Sequence, residues 1–501
     1  MIEVHKINES FVILKCDRGI AQELSEYFSF LVPGYKYMPA FKNKMWDGKL
    51  RLAKLLPNGD VEFYVGLINQ LEIFCSDREY SLIKNYDDRL NLISSEELQC
   101  FIEKLNIHSY GKRIEVRDYQ FECVLDFLNT KRMVGLSPTS SGKSLILYII
   151  IRYLIQNTCK KTLLIVPNVS LCHQLASDFV DYASHNKWDS DNHIHLVFSG
   201  KDKDADKEII LSTWQSLYTI KDKNYFKQFD LVICDEAHLS SGKEITTIIE
   251  KCINAEYRIG VTGTLNGQKI HSLQLESLFG PVKKVITTKE LMDNNQVTNL
   301  AIKCIVLKYP EEITKLTQNL KYQEELDFII SNKERNKFIK NLTLSLKGNT
   351  LLLYQFVEKH GDVLYNLISN SKFAQDKIVY YIHGDIKAEE RESIRKAMET
   401  QNNVILIGSV GTVSTGTNIK NLHNIIFASP SKSRVRNLQA IGRVLRLNEN
   451  KDKAILYDLA DDLRYKKHQN YTILHFKERI KIYNEEKFNY KLINIDLDQT
   501  L

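Results

Sequence analysis

The stretch that decides the fold is SPTSSGKS, Ser137 to Ser144, set between the short apolar run MVGL (133–136) and the long run LILYIIIRYLIQ (145–156). An apolar strand, a loop of small residues closing in Gly-Lys-Ser, and a helix form the setting of a phosphate-binding loop. The backbone N–H groups of Pro138 to Ser144, Pro138 excepted, and the positive end of the following helix suit a β-phosphate. Lys143 can reach the β and γ oxygens, and the Ser144 hydroxyl can ligate Mg²⁺. Thr139, Ser140, Ser141 and Gly142 complete the loop. One position departs from the usual G-x-x-x-x-G-K-[ST] pattern: Ser137 stands where the first glycine is expected.

Outward from this loop, β-branched runs alternate with amphipathic stretches from Arg117 to Thr264: MVGL, TLLIVP, HLVFS, EIILST, LVICDE and YRIGVTGT. Such alternation predicts parallel strands with crossover helices. A second series begins near Asn349 with TLLLYQF, then KIVYYIHG, NVILIGS, NIIFASP and AILYDL. The expected fold class is therefore α/β, two tandem parallel-sheet lobes preceded by a small α+β N-terminal domain; with the phosphate loop, the lobes resemble RecA-like lobes. The expected domains are 1–95, 96–300 and 301–501, the last with a C-terminal helical extension. In the N-terminal domain FVILKC, LRLAKLL and VEFYVGL predict strands, and AQELSEYFSFL predicts a helix.

LVICDEAH supplies the next chemical group. An apolar run ends in two adjacent carboxylates, with Asp235 ninety-two residues after Lys143. Asp235 can hold Mg²⁺, and Glu236 can polarise an attacking water. In the second series, QAIGRVLR spaces Arg443 and Arg446 by three residues, about one helical turn, so both can face a γ-phosphate bound on the first lobe.

With these motifs in place the chain resembles the superfamily 2 helicases. The resemblance implies that Arg117 and Gln120 of RDYQ recognise adenine, and that VTGT (261–264) links hydrolysis to lobe movement. It also implies that Pro167 in VPNVSLCHQL, Thr213 in STWQSL and Thr412 touch a nucleic-acid backbone. Gly416 and Gln439 join the nucleotide contacts, and Arg443 or Arg446 serves as arginine finger. GSVGTVSTGTNIKNL departs from the family's fifth motif, because Gly416 is followed two residues later by Asn418 rather than Asp. An amide can bond a ribose hydroxyl but offers no carboxylate.

Between the motifs, GYKYMPAFKNKMWDGKLRL (34–52), SGKEITTIIE and EEKFNY resemble the UvsW helicase family of T-even-like bacteriophages over nearly the whole chain. That resemblance implies ATP and Mg²⁺ as cofactors. It implies ATP-dependent unwinding or migration of branched DNA (forks, Holliday junctions, R-loops) in phage recombination, repair and replication. The implied partners are branched and single-stranded DNA, RNA–DNA hybrid and phage recombination proteins. A duplex translocase of the restriction-motor type shares every ATP motif and stays open as an alternative; a binding module with a decayed ATP site is disfavoured by intact Lys143, Asp235, Glu236, Arg443 and Arg446.

Composition sets the remaining bounds. The net charge of +6 over 501 residues is modest, but residues 33–54 carry Lys36, Lys42, Lys44, Lys49, Arg51 and Lys54 against Asp47 alone, a local +5. Interleaved Tyr35, Tyr37, Phe41 and Trp46 leave two readings: a solvated strand face with core aromatics, or a DNA grip in which Trp46 stacks on a base. The apolar run from Leu145 to Leu154 is far shorter than the ~20 residues a membrane span needs and predicts a buried helix. The N-terminus lacks the pattern of a secretory signal. Nine cysteines with no C-x-x-C pair predict buried thiols in a cytoplasmic protein, the host cytoplasm if phage-encoded.

Overall fold

The computed structural model describes residues 1–87, 92–198, 206–222, 224–265, 267–414, 419–429, 433–445, 451 and 453–497. The chain forms two compact units, residues 1–137 with 142–285, and residues 286–501 with 138–141.

The N-terminal part of the first unit is a five-stranded sheet in the order β5-β6-β2-β1-β7. Its strands are β1 (Ile2–Lys6), β2 (Phe11–Cys16), β5 (Ala53–Leu55), β6 (Val61–Tyr64) and β7 (Leu82–Lys84). Period-2 alternation sends Ile2, Val4, Val12 and Leu14 into the core. There they meet Ala21 and Leu24 of α1 (Arg18–Tyr27) and Leu71 and Phe74 of α3 (Ile68–Asp77). The predicted helix AQELSEYFSFL stops at Tyr27. Phe28 is buried, its carbonyl accepts from Leu52 N–H, and Ser29–Leu31 becomes strand β3 because it pairs with β4 (Lys49–Arg51). The predicted strand LRLAKLL likewise divides at Leu52, β4 pairing with β3 and β5 with β6. The result is a separate two-stranded arm. Residues 32–48 form its tip, including the single-turn helix α2 (Pro39–Lys42).

The first lobe is a seven-stranded parallel sheet. Its order is β12-β13-β11-β14-β15-β10-β16, formed by β10 (Arg132–Leu136), β11 (Thr162–Val166), β12 (Ile194–Val197), β13 (Ile209–Thr213), β14 (Leu231–Asp235), β15 (Tyr257–Thr262) and β16 (Val282–Lys284). The predicted strands of the 117–264 series are all present. A short hairpin, β8 (His108–Ser109) with β9 (Lys112–Arg113), precedes the sheet. The helices are α4 (Ser95–Leu105), α5 (Asp118–Thr130), α6 (Lys143–Asn157), α7 (Val169–Tyr182), α8 (Ser190–His193), α9 (Trp214–Tyr218), α10 (Lys243–Lys251) and α11 (Lys269–Phe279). The run after the phosphate loop is α6, with Leu145 to Ile151, Tyr153 and Leu154 buried. No helix of the described residues is long and apolar enough to cross a membrane.

The N-terminal domain is locked onto this lobe through β15 and its neighbours. Arg258 on β15, 1% exposed, donates to Ser10 Oγ at 2.8 Å and to the carbonyls of Cys252 and Ala255 at 2.7 and 3.0 Å. Burial, then the nearby Arg132, lower its guanidinium pKa to about 9. Arg132 itself is paired with Glu9 at 2.8 Å, Tyr64 donates to Glu250 at 2.6 Å, and Leu273 enters the N-terminal core. A Cβ at Gly66 would lie 2.1 Å from the Glu276 carbonyl oxygen, so the backbones meet there and only glycine fits.

The second unit carries another seven-stranded parallel sheet. Its order is β19-β20-β18-β21-β22-β17-β23, formed by β17 (Asn299–Lys308), β18 (Thr350–Tyr354), β19 (Ile378–Ile382), β20 (Val404–Ser409), β21 (Asn424–Phe427), β22 (Lys453–Asp462) and β23 (Tyr490–Asp496). The sequence pattern missed β17 and β23. β17 alternates buried and half-buried residues from Leu300 to Cys304 and is paired over all ten residues with β22. Around the sheet lie α12 (Thr288–Asp293), α13 (Glu311–Thr317), α14 (Tyr322–Ser331), α15 (Lys333–Ser345), α16 (Asp362–Ser369), α17 (Ala388–Thr400), α18 (Val410–Ser414), α19 (Arg434–Val444) and α20 (Tyr471–Glu485). Two fully buried ion pairs pin helices to β22: Arg335 of α15 to Asp461 at 2.7 Å, and Arg479 of α20 to Asp458 at 2.8 Å. Removing one partner of such a pair typically costs 3–5 kcal/mol. Seven of the nine cysteines are buried, but Cys100 is exposed and Cys16 half-buried, so the expectation of buried thiols fails at these two.

Candidate functional site

The sheet register of the first lobe places the phosphate loop and the acidic motif on one edge. Asp235 at the end of β14 pairs with Val261 of β15, which pairs with Gly135 of β10, the strand that feeds the loop. The loop and the carboxylate are thus separated by one intervening strand, about 10 Å at the usual ~4.8 Å spacing. Within the loop Ser140 (φ +71°) and Gly142 (φ +80°) are left-handed, which turns successive N–H groups to one side as an anion cradle requires. The Ser140 hydroxyl oxygen is buried without a hydrogen-bond partner among the described residues, a donor left for a ligand. These features fit a bound phosphate. Lys143 donates to the Ser137 carbonyl at 3.1 Å, so Ser137 at the departing position contributes its backbone, as a glycine would.

Gly142 is required by a neighbour as well as by its φ. A Cβ there would lie 2.3 Å from Gln120 Nε2, so the RDYQ carboxamide packs directly on the loop. Gln120 is 3% exposed, and its Oε1 accepts from Arg117 N–H at 3.1 Å. Arg117 Nη1 donates to the Tyr119 hydroxyl at 3.0 Å, which fixes the guanidinium at the start of α5.

The acidic motif is under electrostatic tension. Burial, and then the neighbouring Glu236 charge, push the Asp235 carboxyl up to about 6, with Lys143 opposing. A divalent cation at Asp235 would relieve this, which fits the residue to Mg²⁺. Glu236 adopts φ +54°, a conformation costly for a residue with a Cβ, and its N–H donates to Asp235 Oδ1 at 2.9 Å. Glu236 Oε2 lies 3.3 Å from His238 Nδ1. His238 Nδ1 also lies 3.0 Å from Thr262 Oγ1, which itself lies 3.1 Å from the Thr264 carbonyl oxygen. The Ser137 N–H donates to the Thr262 carbonyl at 2.9 Å. One strand end, Thr262, therefore joins the acidic motif, VTGT and the phosphate loop.

Sequence reasoning missed Tyr182. Its hydroxyl oxygen lies 2.9 Å from Ser144 Oγ, and its ring packs on Tyr148 with centroids 5.4 Å apart. Nothing in the motif spacing marks a tyrosine thirty-eight residues downstream.

Pro167 follows β11 and Thr213 ends β13, with Val166 opposite Thr213, so VPNVSL and STWQSL share one edge of the lobe. Asn168 caps α7 by accepting from Leu171 N–H, and Gln215 reaches the Pro167 carbonyl at 3.3 Å. The Thr213 hydroxyl is turned inward against Ser216, and Ser409 donates to Thr412 Oγ1 at 2.7 Å, so both threonine hydroxyls have internal partners. In the N-terminal arm Lys36, Lys42, Lys44 and Lys49 are exposed and Tyr37 is 82% exposed. Tyr35 and Phe41 pack edge to face at the tip, while Trp46 donates its indole N–H to the Lys49 carbonyl at 2.8 Å. Arg51 is paired with Asp47, whose carboxyl it holds down to about 2. In the second unit Gln439 lies in α19, half-buried. Gly416, Asn418 and Arg446 lie outside the described residues, as does the Arg443 side chain.

Comparison with known proteins agrees with this geometry. Residues 1–85 match the family "DNA helicase UvsW, N-terminal", residues 113–267 "Type III restriction enzyme, res subunit", and residues 333–448 "Helicase conserved C-terminal domain". The chain is 35% identical to the ATP-dependent DNA helicase uvsW of Enterobacteria phage T4, covering 99% of this chain and 100% of that protein. The crystal structure of T4 UvsW superposes with a TM-score of 0.51 at 32% identity over 99% of both chains. A putative ATP-dependent helicase of Saccharomyces cerevisiae, IRC3, is 25% identical over 73% of this chain and 54% of its own length. With whole-length identity of this order and all three regions matched, the chain belongs to the UvsW family of ATP-dependent DNA helicases.

Proposed function

We propose that the protein spends ATP hydrolysis on remodelling branched DNA: unwinding or migrating forks, Holliday junctions and R-loops during phage recombination, repair and replication, in the host cytoplasm. The observation that carries the ATP half is the shared strand edge of Lys143, Ser144, Asp235 and Glu236. Lys143 and the loop N–H groups hold the β- and γ-phosphates, Ser144 and Asp235 hold Mg²⁺, and Glu236 takes the proton of the attacking water. Mg²⁺, when bound, neutralises charge on the transferred phosphate. Arg443 and Arg446 act on the γ-phosphate by the spacing of their motif, and Arg117 and Gln120 take the adenine. The branched-DNA half rests on the exposed lysines of the N-terminal arm and on likeness to a DNA helicase.

The matching restriction-subunit model over residues 113–267 supports a second reading, a duplex translocase that does not separate strands. DNA-stimulated hydrolysis compared on single strands, duplex, forks and four-way junctions, with strand displacement followed in parallel, tests both. Branch-selective stimulation with displaced strand is expected. Equal stimulation by plain duplex with no displacement would overturn the first reading in favour of the second.

A further inference from the structure

On the first lobe, away from every motif above, a cleft of about 550 Å³ opens between the end of α4, the far end of α6 and the loop after α7. Lys104, Arg152, His185, Asn186, Lys187 and Trp188 line it, and no carboxylate does. Arg152 lies 4.5 Å over the Trp188 ring and donates to the Tyr148 hydroxyl at 2.7 Å. Among the described residues, neither Arg152, Lys104 nor Lys187 has a carboxylate in ion-pair range. A half-buried guanidinium without a counter-ion is unusual, because its desolvation is normally offset by an acidic partner. Burial lowers the Arg152 pKa, and only the Tyr148 hydroxyl pulls it back.

We infer that this cleft is a phosphate-binding site, taking either a phosphodiester of a nucleic-acid strand or a free phosphate group. Three cations converge on a volume suited to one phosphate with its sugar, and Asn186, donating to the Leu105 carbonyl at 2.7 Å, holds the loop that carries Lys187. The Trp188 ring is already engaged, by Arg152 at 4.5 Å over it and by His193 stacked at 5.1 Å. Recognition therefore goes to the phosphate and carries no sequence information. Ser144, Tyr148 and Arg152 follow at four-residue intervals on one face of α6, so the cleft lies about 12 Å along the helix from the Mg²⁺-binding hydroxyl, at ~1.5 Å per residue.

The test uses the full chain carrying Lys143→Ala, so that the nucleotide loop does not compete, with and without Lys104→Ala and Lys187→Ala. Both lysines are exposed, so the substitutions leave the fold intact, and Arg152→Gln provides a second variant. Two probes are read: inorganic phosphate by calorimetry, and a twenty-nucleotide oligo(dT) by anisotropy across a salt series. Loss of two contacts should flatten the slope of log affinity against log salt by about 1.4 on a single strand. It should also weaken inorganic phosphate by about tenfold. A flattened slope supports the site with a strand phosphate, and weakened inorganic phosphate with an unchanged slope supports it with a free one. Unchanged phosphate affinity and unchanged slope in both variants would overturn the inference.

Discussion

The Ser144 hydroxyl oxygen stands 2.9 Å from the hydroxyl oxygen of Tyr182, so the group proposed to ligate Mg²⁺ is held by a side chain from α7. With the Tyr182 hydroxyl as donor, that hydrogen bond occupies a lone pair of Ser144 Oγ that the proposed Mg²⁺ site would use. Tyr182→Phe deletes the competing hydroxyl while keeping the ring packed on Tyr148. The Mg²⁺ midpoint of ATP hydrolysis is expected to fall by about three- to tenfold, the equivalent of a hydrogen bond worth ~1 kcal/mol. A magnesium titration at fixed ATP checks this; a raised midpoint would show that Tyr182 orients Ser144 for the metal instead.

Lys143→Ala should reduce ATP hydrolysis by orders of magnitude with DNA affinity nearly unchanged, because the cation spanning the β- and γ-phosphates is lost. Glu236→Gln should trap bound ATP, since the group that accepts the water proton is gone and the loop is intact. Single-turnover hydrolysis with labelled ATP separates the two, and wild-type turnover in either variant would contradict the assigned roles.

The N-terminal arm makes a quantitative claim about salt. Lys36, Lys42 and Lys44 are exposed at its tip, so replacing all three by Ala should flatten the salt slope of fork binding by about 2.7 if each meets one duplex phosphate. Hydrolysis without DNA should not change. Arg51, already paired with Asp47, should contribute less than any of the three lysines. Anisotropy on forks and plain single strands between low and moderate salt gives both slopes.

His360 gives the second unit a defined acid sensitivity. It is fully buried in the sheet's flank, with Nε2 3.2 Å from Asn336 Oδ1 and Nδ1 3.2 Å from Ser429 Oγ. Burial, reinforced by Arg335, lowers its pKa to about 3. Because the folded value lies below the unfolded ~6.5, the neutral ring contributes stability that is complete above pH 6.5 and is lost as pH falls towards 3. Between pH 7.5 and 5.0 the loss from this group is about 2 kcal/mol, set by the unfolded value alone. Urea unfolding followed in the second unit should show that His360→Gln is less sensitive over this interval than wild type. An equal loss in both proteins would assign the acid sensitivity elsewhere.

The sequence carried what depends on short spacing. Gly142, Lys143 and Ser144 announce a phosphate loop because a strand, a tight turn and a helix N-terminus must be contiguous to build one. Asp235 and Glu236 are legible because an apolar strand ending in two carboxylates is locally uneconomical without a cation to hold. The alternation of apolar runs likewise gave both parallel sheets, apart from β16, β17 and β23. Tertiary structure decided the rest. Arg258 reaches Ser10 across 248 residues to seat the N-terminal domain on β15, and no local pattern records such a pairing. The Ser144–Tyr182 bond, the break of LRLAKLL at Leu52, and the meeting of Lys104, Arg152 and Lys187 share that character. Each exists only after distant segments pack, when burial and hydrogen-bond satisfaction, rather than periodicity, choose the partner.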